Sequence, residues 1–353
     1  MQSRTPLVLL LLLALAPGCD RVQSFFVERA ASRGLAADRT DLLEDGKLHV
    51  VFCGTGSPVA DADRAGPCTA VLAGGHFFLV DTGQSSWRNI ALWRLPRAHL
   101  DGVLLTHFHS DHIGELGEAT VQSWISGRTG PLAVYGPPGV EQVVDGFRQA
   151  YGFDTQYRVA HHGVEAMPPD AARAVAHTVL LSAPIAPAIV YEQDGLRISA
   201  FAVDHAPVAP AYGYRFDYRG RSVVVSGDTK KSENLVRQAQ GADVLVSEGL
   251  ASNIIGRVSE YARTHNLTRW AKLTNDIIGY HTTPVEAAEE AKAAGVRMLV
   301  FTHIVPPLQN FIAKRMFLSG VSDVFQGEAL VGKDGMELTL APDATTIEVG
   351  KVD

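Results

Sequence analysis

The segment Thr106-His107-Phe108-His109-Ser110-Asp111-His112-Ile113-Gly114 crowds four potential metal ligands into six residues. Imidazole nitrogens with one carboxylate oxygen suit zinc or a similar borderline divalent ion. A strand pattern over residues 103–106 ends just before them. In an extended or turning backbone His107 and His109 point to one side, because side chains alternate with a period of two. Asp111 and His112 fall at the start of the next helix and turn toward a second position. The chain holds 13 histidines in 353 residues. Three of them within six positions, with an Asp among them, do not read as scattered surface residues. Three further candidates each follow an apolar strand pattern: His205 after 196–203, Asp228 in Ser226-Gly227-Asp228-Thr229, and His303 after 298–302. Strand ends on one rim of a sheet converge, whereas scattered loop residues need not.

The scaffold for such a rim is legible in the short apolar runs. Strands are expected at 49–53, 69–72, 77–80, 103–106, 132–135, 196–203, 212–218, 222–226, 244–247 and 298–302. A final hairpin is expected from 329–331 and 336–340, joined through Lys333-Asp334-Gly335. The clearest helix begins after His281: Thr283 and Glu286 form a capping box, Pro284 takes the first helical position and Gly295 closes the end. Other helices are expected at 111–125, 140–151 and 232–240. Residues 153–187, with His161-His162 and Pro168-Pro169, are a candidate lid or cap insertion, whose His161 and His162 could touch substrate or, the blander reading, form a solvated loop pair. Interleaved strands and helices of this kind give an α/β (α+β) fold, two mixed sheets packed face to face with helices outside. One domain over 47–345 is the simpler organisation, preceded by a tether and short helix over 19–46.

The order and context of His107-x-His109-x-Asp111-His112, His205, Asp228 and His303 resemble the metallo-β-lactamase superfamily. Several segments are similar to its ribonuclease Z-like branch, closest to bacterial zinc-dependent arylsulfatases. They are Gly54-Thr55-Gly56-Ser57-Pro58, Val80-Asp81-Thr82-Gly83, Tyr135-Gly136-Pro137-Pro138-Gly139, Gly213-Tyr214-Arg215 and Tyr280-His281-Thr282-Thr283. The resemblance spans residues 47–345 and implies an αββα sandwich holding two zinc ions per chain. It implies that His107, His109 and His205 hold one ion, that Asp111, His112 and His303 hold the other, and that Asp228 bridges them. Asp81 would steady a ligand by hydrogen bonding, or merely cap a turn. Such a pair of ions, about 3.5–4 Å apart, ionises a water and clamps the attacked group.

Among proton-handling groups, His281 sits just before a helix N-terminus, where partial positive charge also favours an anion. It is the candidate proton donor, with Glu248 in Ser247-Glu248-Gly249 holding it, and Asp111 counts with this catalytic set as well as with the ligands. The family pattern has His where this chain has Ser247. Lys230 and Lys231 could attract an anion or simply be a solvated helix start.

Composition is that of a globular chain, 46% hydrophobic and 20% charged. The net charge of −7 argues against a protein built chiefly to grip nucleic-acid backbone, although not against a local basic patch. Residues 7–16 are an unbroken apolar run behind Arg4. In a helix they reach about 15 Å, half a bilayer's hydrocarbon thickness, which fits a signal peptide over 1–18 and not a membrane span. Cys19 follows Leu15-Ala16-Pro17-Gly18 in a pattern similar to a lipoprotein box, which would place an exported, lipid-anchored protein in the cell envelope or periplasm. In such a compartment Cys53 and Cys68 could pair or stay as buried thiols.

Four functions compete. The leading expectation is an exported dinuclear zinc hydrolase of sulfate or phosphate (di)esters, an arylsulfatase or phosphodiesterase. The second is a ribonuclease Z-type 3′-tRNA-processing endonuclease. That enzyme carries a long Gly-rich arm between the motifs matched here by His205 and Asp228, where this chain has only 22 residues. A β-lactam or lactone hydrolase and an inactive metal-binding module complete the set. The expected partner is a small anionic ester, with no nucleic acid, membrane contact only through the N-terminal lipid, and a homodimer possible.

Overall fold

Several apolar runs in this chain are continuous and not alternating, the mark of strands covered on both faces. Strands β1 (Leu48–Gly54), β11 (Val244–Leu250) and β12 (Met298–Val305) are buried at every position. The computed structural model describes residues 23–29 and 38–352; the leader at 1–18, with its apolar run and Cys19, lies outside them. The chain divides into Met1–Asp38, of which residues 23–29 are helical, and Arg39–Asp353, which carries both sheets.

One sheet adds β2 (Cys68–Ala73), β3 (His76–Val80), β4 (Leu100–Leu104), β5 (Leu132–Gly136), β6 (Ala174–Thr178), β14 (Met336–Leu340) and β15 (Glu348–Lys351), in the order β15-β14-β1-β2-β3-β4-β5-β6. The other adds β7 (Ala188–Gln193), β8 (Leu196–His205), β9 (Val208–Tyr218), β10 (Arg221–Val225) and β13 (Glu328–Val331), in the order β13-β12-β11-β10-β9-β8-β7. Phe52, Phe78, Tyr214, Phe216, Val246 and Val300 fill the space between the sheets. Outside the first sheet, Leu116, Val140 and Val144 cover Val103 and Leu105. Outside the second, Leu235, Ala287 and Ala291 cover Leu245 and Leu299. Each buried Leu, Val or Phe contributes roughly 1.5–3 kcal/mol. The expected αββα sandwich is the observed architecture.

Strand direction positions the site. β3, β4, β5 and β6 are parallel neighbours, as are β10, β11, β12 and β13. β8 is antiparallel to β9, and β9 to β10, so β8 ends on the same rim as β10. Open parallel sheets bind ligands beyond the carboxyl ends of their strands, and Asp81, His107, His205, Asp228, Glu248 and His303 all lie at such ends.

Three expectations are corrected. The segments 329–331 and 336–340 are not a hairpin: β13 pairs in parallel with β12, while β14 pairs antiparallel with β1 in the other sheet. The turn residues are as expected, with Gly335 at φ +82°. Asp334, however, is drawn inward, accepting hydrogen bonds from the amides of Thr55 (3.0 Å) and Ala65 (2.6 Å) and from Asn89 (2.9 Å). That carries the chain from one sheet to the other. Residues 153–187 include the edge strand β6 behind the surface helix Gly152–Ala166. His161 and His162 are exposed on that helix. The helix expected over 111–125 is interrupted after Ile113 and resumes at Leu116. The fold also extends past 345, since β15 pairs with β14. Cys53 and Cys68, on adjacent strands, are disulfide-bonded.

The helix Pro284–Ala294 has the expected capping box and ends at Gly295 in the left-handed region. Its Glu290 is fully buried, accepts a 2.5 Å hydrogen bond from the Ser232 amide and leaves its other oxygen without a partner. Burial pushes this carboxyl from 4.5 up to about 8. The folded chain thus holds one more proton than the unfolded chain between those values. This group's contribution to stability is fully present below the lower value and is lost as pH rises through the upper one. We predict that wild-type stability in urea falls by a few kcal/mol between pH 5 and pH 9 and that Glu290→Gln flattens much of that fall. An unchanged slope in the variant would show that Glu290 ionises freely in the fold.

Candidate metal centre

The loop after β4 places His107 and His109 first and then enters the one-turn helix Ser110–Ile113, which turns Asp111 and His112 inward. His205 ends β8, Asp228 follows β10, and His303 lies within β12. Two donor groups that share no residue result, each able to surround one ion: His107, His109, His205 and Asp228, and Asp111, His112 and His303; a third, Asp228, His281 and His303, overlaps both. Asp228 Oδ2 lies between them, 3.9 Å from Nε2 of both His107 and His205 and 3.4 Å from Nε2 of both His112 and His303. Asp111 Oδ2 is 3.3 Å from His303 Nε2 and 3.5 Å from His112 Nε2. All seven residues proposed from the sequence meet here. Six are buried and His109 faces solvent.

The donor atoms are set for a cation. His112 donates through Nδ1 to Asp81 (2.8 Å), and His205 donates through Nδ1 to the Tyr280 carbonyl (2.9 Å). Each therefore keeps a lone pair on Nε2, and neither Nε2 has a hydrogen-bond partner, nor does Asp228 Oδ1. Buried polar atoms are rarely left unpaired, so this cluster of orphaned donors fits a divalent metal. Burial, reinforced by the neighbouring His112, keeps His107 well below its ordinary pKa, and burial brings His205 down to about 4. Both are neutral ligands near pH 7. Burial opposes charge on His112, but Asp228 and Asp81 outweigh it; those are the carboxylates a cation in the same place would neutralise. Burial likewise opposes the charge on Asp228, yet His303 and His112 hold it well below the usual carboxylate range.

The backbone is forced around these atoms. Asp81 (φ +60°) and His303 (φ +43°) occupy the left-handed region, uncommon for residues with a side chain and frequent where a site constrains the chain. Gly227, at φ +63°, brings Asp228 in: a Cβ there would stand 2.7 Å from the Tyr212 carbonyl oxygen.

Beside the donors, His281 Nδ1 is 2.7 Å from Glu248 Oε2, and Glu248 Oε1 accepts from the Thr229 amide at 2.6 Å. Burial opposes charge on His281, but the carboxylates of Glu248 and Asp228 outweigh it and raise it to about 9. Burial pushes Glu248 up as well. His281 faces both donor groups through ring contacts of 5.1 Å with His205 and 5.5 Å with His303. The Ser247 hydroxyl donates to the Glu248 carbonyl. Lys230 and Lys231 are engaged by Asp204 (3.2 Å) and Glu289 (2.5 Å), the blander of the two readings. Sequence reasoning missed Thr106, whose amide and hydroxyl both donate to Asp81 at 2.9 Å, and the backbone groups of Thr229 and Tyr280. Thr106 could have been suspected from its place beside His107. Backbone donors and acceptors have no sequence signature.

Residues 76–304 match the family model described as "Beta-lactamase superfamily domain". A protein named Ribonuclease Z from Mycobacterium bovis is 38% identical over 264 residues, covering 74% of this chain and 87% of that protein. One of the same name from Mycolicibacterium paratuberculosis is 39% identical over 264 residues, with the same coverage. Among solved structures, the short form of human tRNase Z aligns with TM-score 0.59 at 19% identity, covering 83% of this chain and 99% of that one. A metallo-β-lactamase-fold protein from Bacillus subtilis aligns with TM-score 0.57 at 19% identity and the same coverage. These two show a shared fold.

The leading expectation of an arylsulfatase-like enzyme is thereby corrected. Relatives named Ribonuclease Z match most of the chain, and the nuclease alternative fits better. The 22 residues between His205 and Asp228 were weighed against it. A short connection there decides which substrate-holding appendage is present, whereas the bond attacked is set by the donor cluster on the rim.

Asp228 Oδ2 lies within 3.9 Å of imidazole nitrogens from both donor groups. Asp228→Asn is expected to lower the divalent metal content per chain, read by elemental analysis, and to abolish most of the rise in Tm on adding zinc to stripped protein. Undiminished metal content would remove Asp228 from the centre.

Proposed function

The chain belongs to the β-lactamase superfamily and, within it, to the family of the proteins named Ribonuclease Z, and from that membership we propose that it is a metal-dependent phosphodiesterase that cleaves RNA. The observation that carries the reading is the position of Asp228 between two sets of donors, with the Glu248–His281 pair alongside. In this reading His107, His109 and His205 would hold one zinc ion, and Asp111, His112 and His303 a second, with Asp228 within reach of both sets. When bound, such ions supply Lewis acidity and lower the pKa of water toward neutrality.

The remaining work falls to the chain. Asp81 and the Tyr280 carbonyl fix the tautomers of His112 and His205. Burial behind the rim excludes bulk water and strengthens every charge interaction within. Raised to about 9 by its carboxylate neighbours, His281 is protonated at neutral pH. It donates its proton to the leaving oxygen as the bond between phosphorus and that oxygen breaks, while a water oxygen bonds to phosphorus on the opposite side and gives up a proton to solvent. Glu248 then holds the imidazole in position for reprotonation from solvent.

We also propose that the chain works in an oxidising compartment outside the cytoplasm. The apolar run at 7–16 and the bonded Cys53–Cys68 pair support this. Recovery of the native protein, free of reactive thiols at those positions, from an envelope or secreted fraction is expected; recovery with both thiols reduced in the cytoplasm would refute it.

Purified, zinc-loaded protein should cleave single-stranded RNA and bis(p-nitrophenyl) phosphate, and a chelator should stop both. His281→Ala should lower kcat about 10²–10⁴-fold. In Glu248→Gln the support for the charged imidazole is lost, so the alkaline limb of the pH–rate profile should move to lower pH. Chelator-insensitive turnover, or none on either diester, would defeat the reading.

A further inference from the structure

The helices Ser252–Thr264 and Thr268–Asp276 pack against each other as a hairpin between Glu248 and His281. β11, which carries Glu248, ends at Leu250 two residues before the hairpin starts. After its second helix come Tyr280 and His281. Tyr280, half-buried, accepts the His205 hydrogen bond through its carbonyl and sets its ring 5.6 Å from His205 and 4.9 Å from His281. Both ends of the hairpin are thus seated at the metal centre, with Ile255, Leu250 and Val305 packed together at its base.

Its outer side combines exposed rings with basic side chains. Tyr261 is 59% and Trp270 61% exposed, and Val258, Leu267 and Leu273 are exposed with them. Arg263 is paired with Glu260, and Lys272 with Asp276. Arg257 and Arg269 are exposed and make no ion pair among the described residues. The hairpin holds four basic residues against two acidic ones in a chain whose net charge is −7.

We propose that this hairpin is the surface that holds a single-stranded segment of the RNA substrate, with bases stacked on Trp270 and Tyr261 and phosphates against Arg257 and Arg269. The proposal rests on the RNA-cleavage reading above. Exposed rings alone would equally fit a second copy of the chain. Unpaired guanidinium groups beside those rings select a polyanion with flat faces, because stacking serves any base and Arg neutralises phosphate. The acidic remainder of the surface repels the same polyanion, so the strand is concentrated at the one element joined at both ends to the site.

The test compares wild type, Trp270→Ala and the double variant Arg257→Glu/Arg269→Glu, all changed at exposed positions, with Tm measured to confirm folding. Binding of a short fluorescent single-stranded RNA is followed by anisotropy on metal-stripped protein. Turnover of bis(p-nitrophenyl) phosphate is followed on zinc-loaded protein. The expected result is a Kd for RNA about tenfold higher or more in each variant. The slope of log Kd against log salt should be shallower by about 1.4 in the double variant, for two lost phosphate contacts. Small-diester kcat/KM should be unchanged. Wild-type RNA binding that is absent, or equal to that of the variants, overturns the proposal. So does small-diester turnover that falls in step with RNA binding, since the hairpin would then act by positioning His281. A wild-type dimer that Trp270→Ala dissociates, read by light scattering, overturns it in favour of a second copy. RNA bound through the hairpin but never cleaved would keep this surface and remove the RNA-cleavage reading alone.

Discussion

One carboxylate among four imidazoles is the constraint on which the rest of this structure depends. Asp228 is fully enclosed, and Nε2 atoms of His107, His112, His205 and His303 surround it at 3.4–3.9 Å. Without a cation, several of these atoms are buried with nothing to bond, a costly state at roughly 1–3 kcal/mol for each unpaired group. The apoprotein is therefore expected to be strained at this rim, and metal binding and folding stability are coupled there.

The sandwich makes that concentration of polar atoms tolerable. Its core between the sheets is almost wholly apolar, and the ligands stand at the edge, where strands end and the chain can turn. Two parallel stretches, one in each sheet, deliver their carboxyl ends to this edge. Local strain at Asp81 and His303 is held by the strands that precede or contain them. The hydrogen bonds that matter most for chemistry are one step removed from the donors: Asp81 on His112, the Tyr280 carbonyl on His205, and Glu248 on His281. They choose the tautomer and decide which nitrogen faces inward.

Net charge is a coarse guide to a partner. A total of −7 is a sum over the whole surface, whereas a nucleic-acid strand meets only the patch it touches. The helical pair between Glu248 and His281 shows how a small local excess can be placed next to a reactive centre within an acidic chain.

The seven side chains that meet at the rim could be picked out from the amino-acid sequence. HxHxDH is a local pattern, and His205, Asp228 and His303 could be found because strand ends punctuated by Gly or a turn are local too. The capping box at Thr283 was equally plain, since Thr, Pro and Glu act within a single turn. Only the tertiary structure decided which strands pair across distance. β13 and β14 follow one good turn yet belong to different sheets, because Asp334 is held by Thr55, Ala65 and Asn89, residues some 245 to 279 positions away in the chain. The pairing of Cys53 with Cys68 and the helical hairpin between Glu248 and His281 have the same origin. Each depends on distances between elements, and side-chain types along a chain carry no record of distance until the sheets have packed.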